Sequence, residues 1–205
     1  KESFEDLFRQ GKEFKPDVVY VGGDIVHSKT QGISPELIDC LTWWFKGLAD
    51  INPDGRVVVI PGNHDGILHN KDRQDVISPV ISALNHPRID YYKNSGTYDA
   101  HIPGYSWCVF SCFDEPGWEN VKPKANSVNL ALFHGSVRGS ELDNDTEMRE
   151  GEIDLSFFKQ YDFGLLGDIH KKQFFLDKRV AYAGSTIQQN YGEQRNKGFL
   201  LWDII

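Results

Sequence analysis

Apolar residues recur at two different periods along this chain, and the switches between them mark out its elements. Phe4, Leu7, Phe8 and Phe14 share one face of a helix over residues 2–14, and Pro16 ends it by lacking an amide hydrogen and restricting the residue before it. Val18-Val19-Tyr20-Val21 then reads as a strand that closes on Gly22-Gly23-Asp24. Ser34 is placed to cap a second helix with Pro35 at its first position, and Leu37, Ile38, Leu41, Trp44, Phe45 and Leu48 give that helix a wide apolar stripe. Pro53-Asp54-Gly55 turns the chain into Val57-Val58-Val59-Ile60, a β-branched run of the kind found in strands buried on both faces. Strand, helix and strand in this order predict a parallel βαβ unit with a right-handed crossover.

Beyond Gly66 the elements shorten. A helix is predicted over Asp75 to Leu84, then strands over Ile89 to Tyr92, Thr97 to Ile102 and Ser106 to Phe113. Val128 to Phe133 and Phe163 to Leu166 repeat the earlier pattern of an apolar strand that ends in polar residues. Between them Ser140 to Glu152, rich in Asp, Asn and Glu, reads as a mobile connection. Gln173 to Leu176, Val180 to Ala183 and Gly198 to Trp202 are expected as closing strands. Trp43, Trp44, Trp107, Trp118 and Trp202 fall in helix and strand settings that suit core packing.

Composition adds limits to this outline. With 205 residues, 40% hydrophobic and 25% charged, the chain suits one large α/β domain over residues 1–205. No apolar run approaches the roughly 20 residues a membrane helix needs, so no membrane partner is expected. Cys40, Cys108 and Cys112 fit neither a disulfide framework nor a Cys-x-x-Cys metal site, and read as reduced thiols of a cytoplasmic protein. A net charge of -8 argues against a protein that coats nucleic acid electrostatically. It leaves open an enzyme that grips phosphate through bound cations, because carboxylates that ligate a metal no longer repel an anion.

The candidate chemistry sits where the apolar runs stop. Four strands end in potential metal ligands: Asp24, then Asn63-His64, then His134, then Asp168 with His170. In α/β sheets the C-terminal strand edge is where ligands bind. A carboxylate can bridge two divalent cations, while imidazoles and an amide oxygen complete the coordination of Mn²⁺, Fe²⁺ or Zn²⁺. Two such ions stabilise both the attacking and the leaving oxygen of an in-line phosphoryl displacement. A histidine beside them can donate a proton to the charge that develops.

Gly-Gly-Asp24-Ile-Val-His27, Gly62-Asn63-His64-Asp65, Phe133-His134-Gly135 and Gly167-Asp168-Ile169-His170 resemble the successive motifs of the calcineurin-like metallophosphoesterases. Within that superfamily the chain looks most like the DNA-repair nuclease branch, the SbcD type that works with an SbcC-type ATPase. His27, three residues after Asp24, matches a histidine of the repair nucleases. The segment from Tyr182 through Ser185, Gln188 and Glu193 to Lys197-Gly198 resembles their stretch after the last metal motif. The acidic loops resemble phage or viral versions.

The resemblance implies a four-layer α/β/β/α sandwich of two mixed sheets with helices outside. It implies two divalent metal ions, Mn²⁺ foremost, with Mg²⁺, Fe²⁺ or Zn²⁺ as other candidates. Asp24 would bridge the ions, Asn63, His134 and Asp168 would complete one site, and His170 would ligate the other. His64 would assist the leaving oxygen and His27 would orient the phosphate. Lys171 and Arg195 are candidate contacts to a nucleic-acid backbone.

Two departures bear on this mapping. The family's usual Gly-His-x-His carries Asp168 at its first histidine position, and a carboxylate there favours a harder metal such as Mn²⁺ or Mg²⁺. The family's opening Asp-x-His is absent, as in a chain truncated at its N-terminus. If these residues are the whole molecule, at most one well-held ion is expected; if they are a fragment, the missing strand restores both ligands. An SbcD-type protein would carry a capping domain beyond Ile205. The implied activity is DNA exo- or endonucleolysis in recombination and repair, with DNA and an SbcC-type ATPase as partners and a homodimer as a further assembly. The implied location is cytoplasmic, in the host cytoplasm if phage-encoded, or nucleoid-associated. A small-molecule phosphatase or phosphodiesterase, and a non-catalytic scaffold for an ATPase, are the competing readings.

Overall fold

A computed structural model describes residues 1–27, 33–70 and 74–204. The chain divides into two compact units, Lys1–Lys93 and Asn94–Ile205. One parallel sheet and one mixed sheet, flanked by helices, make the α/β fold read from the sequence.

The first unit carries helices α1 (Glu2–Phe14), α2 (Pro35–Ala49) and α3 (Ile77–Leu84) and strands β1 (Val18–Val21), β2 (Arg56–Val59) and β3 (Ile89–Tyr91). The strands lie in the order β1-β2-β3 and are parallel throughout, with Val18 opposite Arg56 and Val57 opposite Ile89. α2 starts as its sequence directs: the Ser34 hydroxyl accepts the Leu37 amide and Pro35 occupies the first turn. Leu41, Phe45 and Leu48 are buried with Val57, Val59 and Ile77, whereas Ile38 stays 45% exposed at the edge of the stripe. α1 lies close to α2 because Gly47 lacks a side chain, and a Cβ there would sit 2.3 Å from the Phe8 ring. Trp43 packs on Phe8 and Trp44 on Phe4 and Phe45. Both faces of β2 are buried, as its unbroken valine run requires.

The second unit holds six strands: β4 (Gly96–Asp99), β5 (Tyr105–Phe110), β6 (Val128–His134), β7 (Phe163–Gly167), β8 (Gln173–Phe175) and β9 (Val180–Tyr182). Their order is β4-β5-β6-β7-β9-β8, parallel from β5 to β9 and antiparallel at each edge. Two 3-10 turns, Glu115–Asn120 and Leu155–Gln160, bring Trp118, Phe157 and Phe158 onto a cluster with Phe110, Phe133 and Tyr161. Edge-to-face rings at 4.8–6.1 Å make this core largely aromatic.

Two expectations are corrected here. Gly198 to Trp202 forms no strand; the tail is anchored by Trp202 against Phe163 and by the Tyr105 hydroxyl donating to the Ile204 carbonyl. Alternating bulky residues suit such anchoring as well as they suit a ladder. Ser140 to Glu152 is a tied turn, not a loose connection: the Met148 amide donates to Ser140 O, Leu142 to Thr146 O and Glu152 to Ser136 O. Its acidic side chains find cationic partners, Glu141 and Asp145 with Lys171 and Asp143 with Lys197. That pairing could not be read from composition. Cys40, Cys108 and Cys112 form no disulfide, and among the described residues no helix is long and apolar enough to cross a membrane.

Asp75 holds the start of α3. Its buried carboxylate accepts the Ile77 and Ser78 amides and the Ser78 and Tyr91 hydroxyls, and pairs with the Lys93 ammonium at 2.9 Å. Burial pushes this carboxyl up, and the Ser78 and Lys93 hydrogen bonds together pull it down further, leaving it below the usual carboxylate value. A lowered folded-state pKa means that the stabilisation is full above the ordinary carboxylate range and is lost as pH falls through the folded value. Asp75→Ala is expected to cost about 2 kcal/mol in urea denaturation at neutral pH, since it removes the carboxylate that accepts the first amides of α3 and pairs with the half-buried Lys93. The gap between wild type and variant should narrow as the solution is acidified.

Candidate functional site

Parallel pairing sets the residues after β1 and β2 on one sheet edge, and those after β6 and β7 on another. In the first unit the Ile60 amide donates to Val21 O, so Gly22–His27 and Pro61–Gly66 leave the sheet side by side. The Asp65 side chain, 0% exposed, ties them together: one carboxylate oxygen accepts the Val26 amide at 2.9 Å and the other the Gly62 amide at 2.8 Å. Asp24, in a left-handed conformation at φ 53°, turns its carboxylate to accept the His64 amide at 2.9 Å. Asp tolerates that conformation better than most residues. The His27 and His64 rings stack with centroids 4.4 Å apart, His27 being the exposed member. The Asn63 Oδ1 is buried and has no hydrogen-bond partner among the described residues.

The second unit brings two of its candidate ligands together by register. His134 ends β6 opposite Gly167 at the end of β7, which sets Asp168 one step beyond, and His134 Nε2 lies 3.8 Å from Asp168 Oδ1. Asp168 has φ 99°, a backbone conformation that L residues rarely adopt and that strain of about 1–3 kcal/mol accompanies. The buried Tyr182 hydroxyl donates to Gly135 O at 2.6 Å, fixing the turn after His134 to β9. Glu152 accepts the Ser136 amide, and its carboxyl is pushed up by loss of water around it and by the charge of Asp168.

His170 stands on the loop after β7, with Nδ1 2.9 Å from Glu193 Oε1. Glu193 has a fully buried side chain that also accepts Ser185 Oγ, the Gln189 amide, Asn190 Nδ2 and the Lys197 ammonium. Burial alone would raise its carboxyl, but the Lys197, His170 and Gln189 hydrogen bonds bring it down to about 2. Lys197 also donates to His170 O. Gly184 is required beside this loop, because its φ is 80° and a Cβ would sit 2.6 Å from His170 O.

Every residue expected from the strand ends therefore sits at a strand end or on the loop beyond it, Asp24, His27, Asn63 and His64 in the first unit and His134, Asp168 and His170 in the second. Lys171 is held 2.5 Å from both Glu141 and Asp145, so reaching a phosphate would require leaving them; Arg195 is exposed. Asp65, Glu193 and Lys197 have no role legible in the sequence. Asp65 has only its place next to His64 to mark it, and Glu193 acts on a residue 23 positions earlier, a link no local pattern reveals.

Comparison with known proteins fits this geometry. Residues 1–172 match the model of the calcineurin-like phosphoesterase family. The chain is also 36% identical over 201 residues to an uncharacterized protein of Acanthamoeba polyphaga mimivirus, a match covering 92% of this chain and 14% of that protein. The chain thus spans about one seventh of the length of the relative it matches. With the family match running through all four strand-end motifs, this chain belongs to the calcineurin-like phosphoesterases.

Proposed function

We propose that this chain hydrolyses phosphodiester bonds in DNA, as the nuclease partner of an SbcC-type ATPase, with Mn²⁺ as its metal. Membership of the family carries the coarser statement, metal-dependent phosphoester hydrolysis. The observation that carries the finer one is the stack of His27 on His64, because His27 is the residue that marks the resemblance to the repair nucleases over generic phosphatases. The Tyr182 to Lys197 segment, wrapped around Glu193, supports the same branch.

The residues present suit divalent ions. A buried amide oxygen without a hydrogen-bond partner, at Asn63, is costly unless a cation meets it. His134 Nε2 and Asp168 Oδ1 are separated by a distance at which both can ligate one ion. In this reading Asp24, Asn63, His134, Asp168 and His170 hold the ions, which supply Lewis acidity toward the phosphate and its nucleophile. A carboxylate at position 168, where the family usually has histidine, suits Mn²⁺ among the candidates.

The protein's own contribution lies around that charge. His64, its backbone fixed by Asp24 and its ring stacked on His27, supplies a proton to the departing oxygen. His27, exposed on the outer side of the stack, orients the phosphate. Arg195 contacts the nucleic-acid backbone from the exposed end of the Glu193 segment.

The full-length protein containing this chain, given Mn²⁺ and a labelled linear duplex beside p-nitrophenyl phosphate monoesters and diesters, is expected to release nucleotides. His64→Ala should lower that rate by about 10²–10⁴, with Mn²⁺ binding by calorimetry retained. Cleavage of the small esters alone would assign the chain to small-molecule phosphoesterases, and no Mn²⁺ binding would overturn the enzymatic reading. For Asn63→Ala, stability without metal should stay within about 1 kcal/mol of wild type, since an unsatisfied oxygen leaves with the side chain. The rise in melting temperature that Mn²⁺ gives the wild type should shrink or vanish in this variant.

A further inference from the structure

Asp143, His170 and Glu193 bring ligand-type atoms within 4.8 Å of one another, a cluster that invites a separate metal site. The cation of this cluster is already part of the chain. Lys197 Nζ lies 2.9 Å from Glu193 Oε2 and 3.8 Å from Asp143 Oδ1, and a divalent ion held by the same carboxylates would meet that ammonium. Glu193 is also saturated: its two carboxylate oxygens take five donors between them. What the cluster leaves to be explained is why so much of it converges on one ring nitrogen of His170.

We infer that Glu193 is a positioning residue that holds the proton of His170 on Nδ1, so that Nε2 presents its lone pair to a divalent cation. This rests on the reading of His170 as a metal ligand given above. An ionised carboxylate can only accept, so the 2.9 Å contact requires Nδ1 to be the donor. In a neutral imidazole with Nδ1 protonated, Nε2 is the acceptor. Lys197 serves the same end twice, keeping Glu193 charged through Oε2 and fixing the His170 backbone through its carbonyl at 3.1 Å. The Ser185 amide bonds to that same carbonyl, and Gly184 lets the chain pass close enough for it to do so. Ring and backbone of His170 are thereby held from one short segment, Gly184 to Lys197. Carboxylate partners that orient ligating histidines in this way are worth about 10–100-fold in metal affinity.

The tautomer can be read without metal or activity. In ¹⁵N-histidine-labelled, metal-free protein at about pH 8, long-range ¹H–¹⁵N spectra should show His170 in the Nδ1–H form, assigned by its loss in His170→Gln. Glu193→Ala should shift it toward Nε2–H and weaken Mn²⁺ binding by about 10–100-fold. Glu193→Gln, whose amide oxygen can still accept from Nδ1, should restore the wild-type tautomer and part of the affinity. An Nε2–H form in the wild type, a measurement that needs no variant, overturns the inference, as does a tautomer in folded Glu193→Ala identical to wild type. A tautomer that follows Glu193 in a full-length protein that binds no Mn²⁺ supports the lock and overturns the metal-ligand reading instead.

Discussion

The loop chemistry of the first unit depends on one buried carboxylate. Asp65 places a carboxyl group where there is no solvent, where leaving it unsatisfied is strongly unfavourable, and that penalty is offset by backbone amides from two different loops. Because those amides belong to Val26 and Gly62, the same bonds set the spacing between the segment bearing Asp24 and His27 and the segment bearing Asn63 and His64. The Asp65 carbonyl also accepts the Val76 amide, extending the tie to the turn before α3. Asp24 can meet the His64 amide, and His27 can stack on His64, only while that spacing holds. One buried side chain thus fixes the positions of the four candidate site residues on these two loops.

The second unit solves the same problem with different parts. Its strand register places His134 and Asp168 at one level, and neutral groups steady the loops: the Tyr182 hydroxyl on Gly135 O and the Ser185 amide on His170 O. Charge enters through Glu193 with Lys197 and through Lys171 with Glu141 and Asp145. The difference follows from the sheets. His134 ends β6 and Asp168 directly follows β7, so strand register already does most of the placing, whereas the loops after β1 and β2 run on for several residues before Asp24 and Asn63.

Much of the fold was legible because it rests on local signals. α1 carries its apolar face and stops before Pro16, α2 carries Ser34 and Pro35 at its start, and β2 is a valine run; each formed within a residue or two of where its pattern placed it. The place of Asp24, Asn63-His64, His134 and Asp168 at strand ends was legible for the same reason, since an apolar run that breaks into polar residues marks where a strand stops. What failed to show was long-range or degenerate. Gly198 to Trp202 has the alternation of a strand and is held instead by a ring contact to Phe163 and a terminal hydrogen bond. The acidic turn from Ser140 to Glu152 looked solvated because its partners, Lys171 and Lys197, lie far along the chain.

Those two lysines also decide how a net charge of -8 is to be understood. Near His170 the sequence offers Lys171, Lys172, Arg195 and Lys197, which on paper is a basic patch fit for phosphate. In the folded chain Lys171 is consumed by Glu141 and Asp145, and Lys197 by Glu193 and Asp143, while Lys172 and Arg195 remain exposed. Two exposed cations, beside the carboxylate of Asp168 on the same unit, make a weak draw for an anion. A phosphoester enzyme built this way must obtain its attraction for phosphate from bound cations, and that is the condition under which its strand-end carboxylates help rather than oppose binding. The paired lysines then act on the loops and not on the substrate: their positive charge fixes backbone and carboxylates in place, which suits a site whose electrostatics come from metal ions and not from a basic surface.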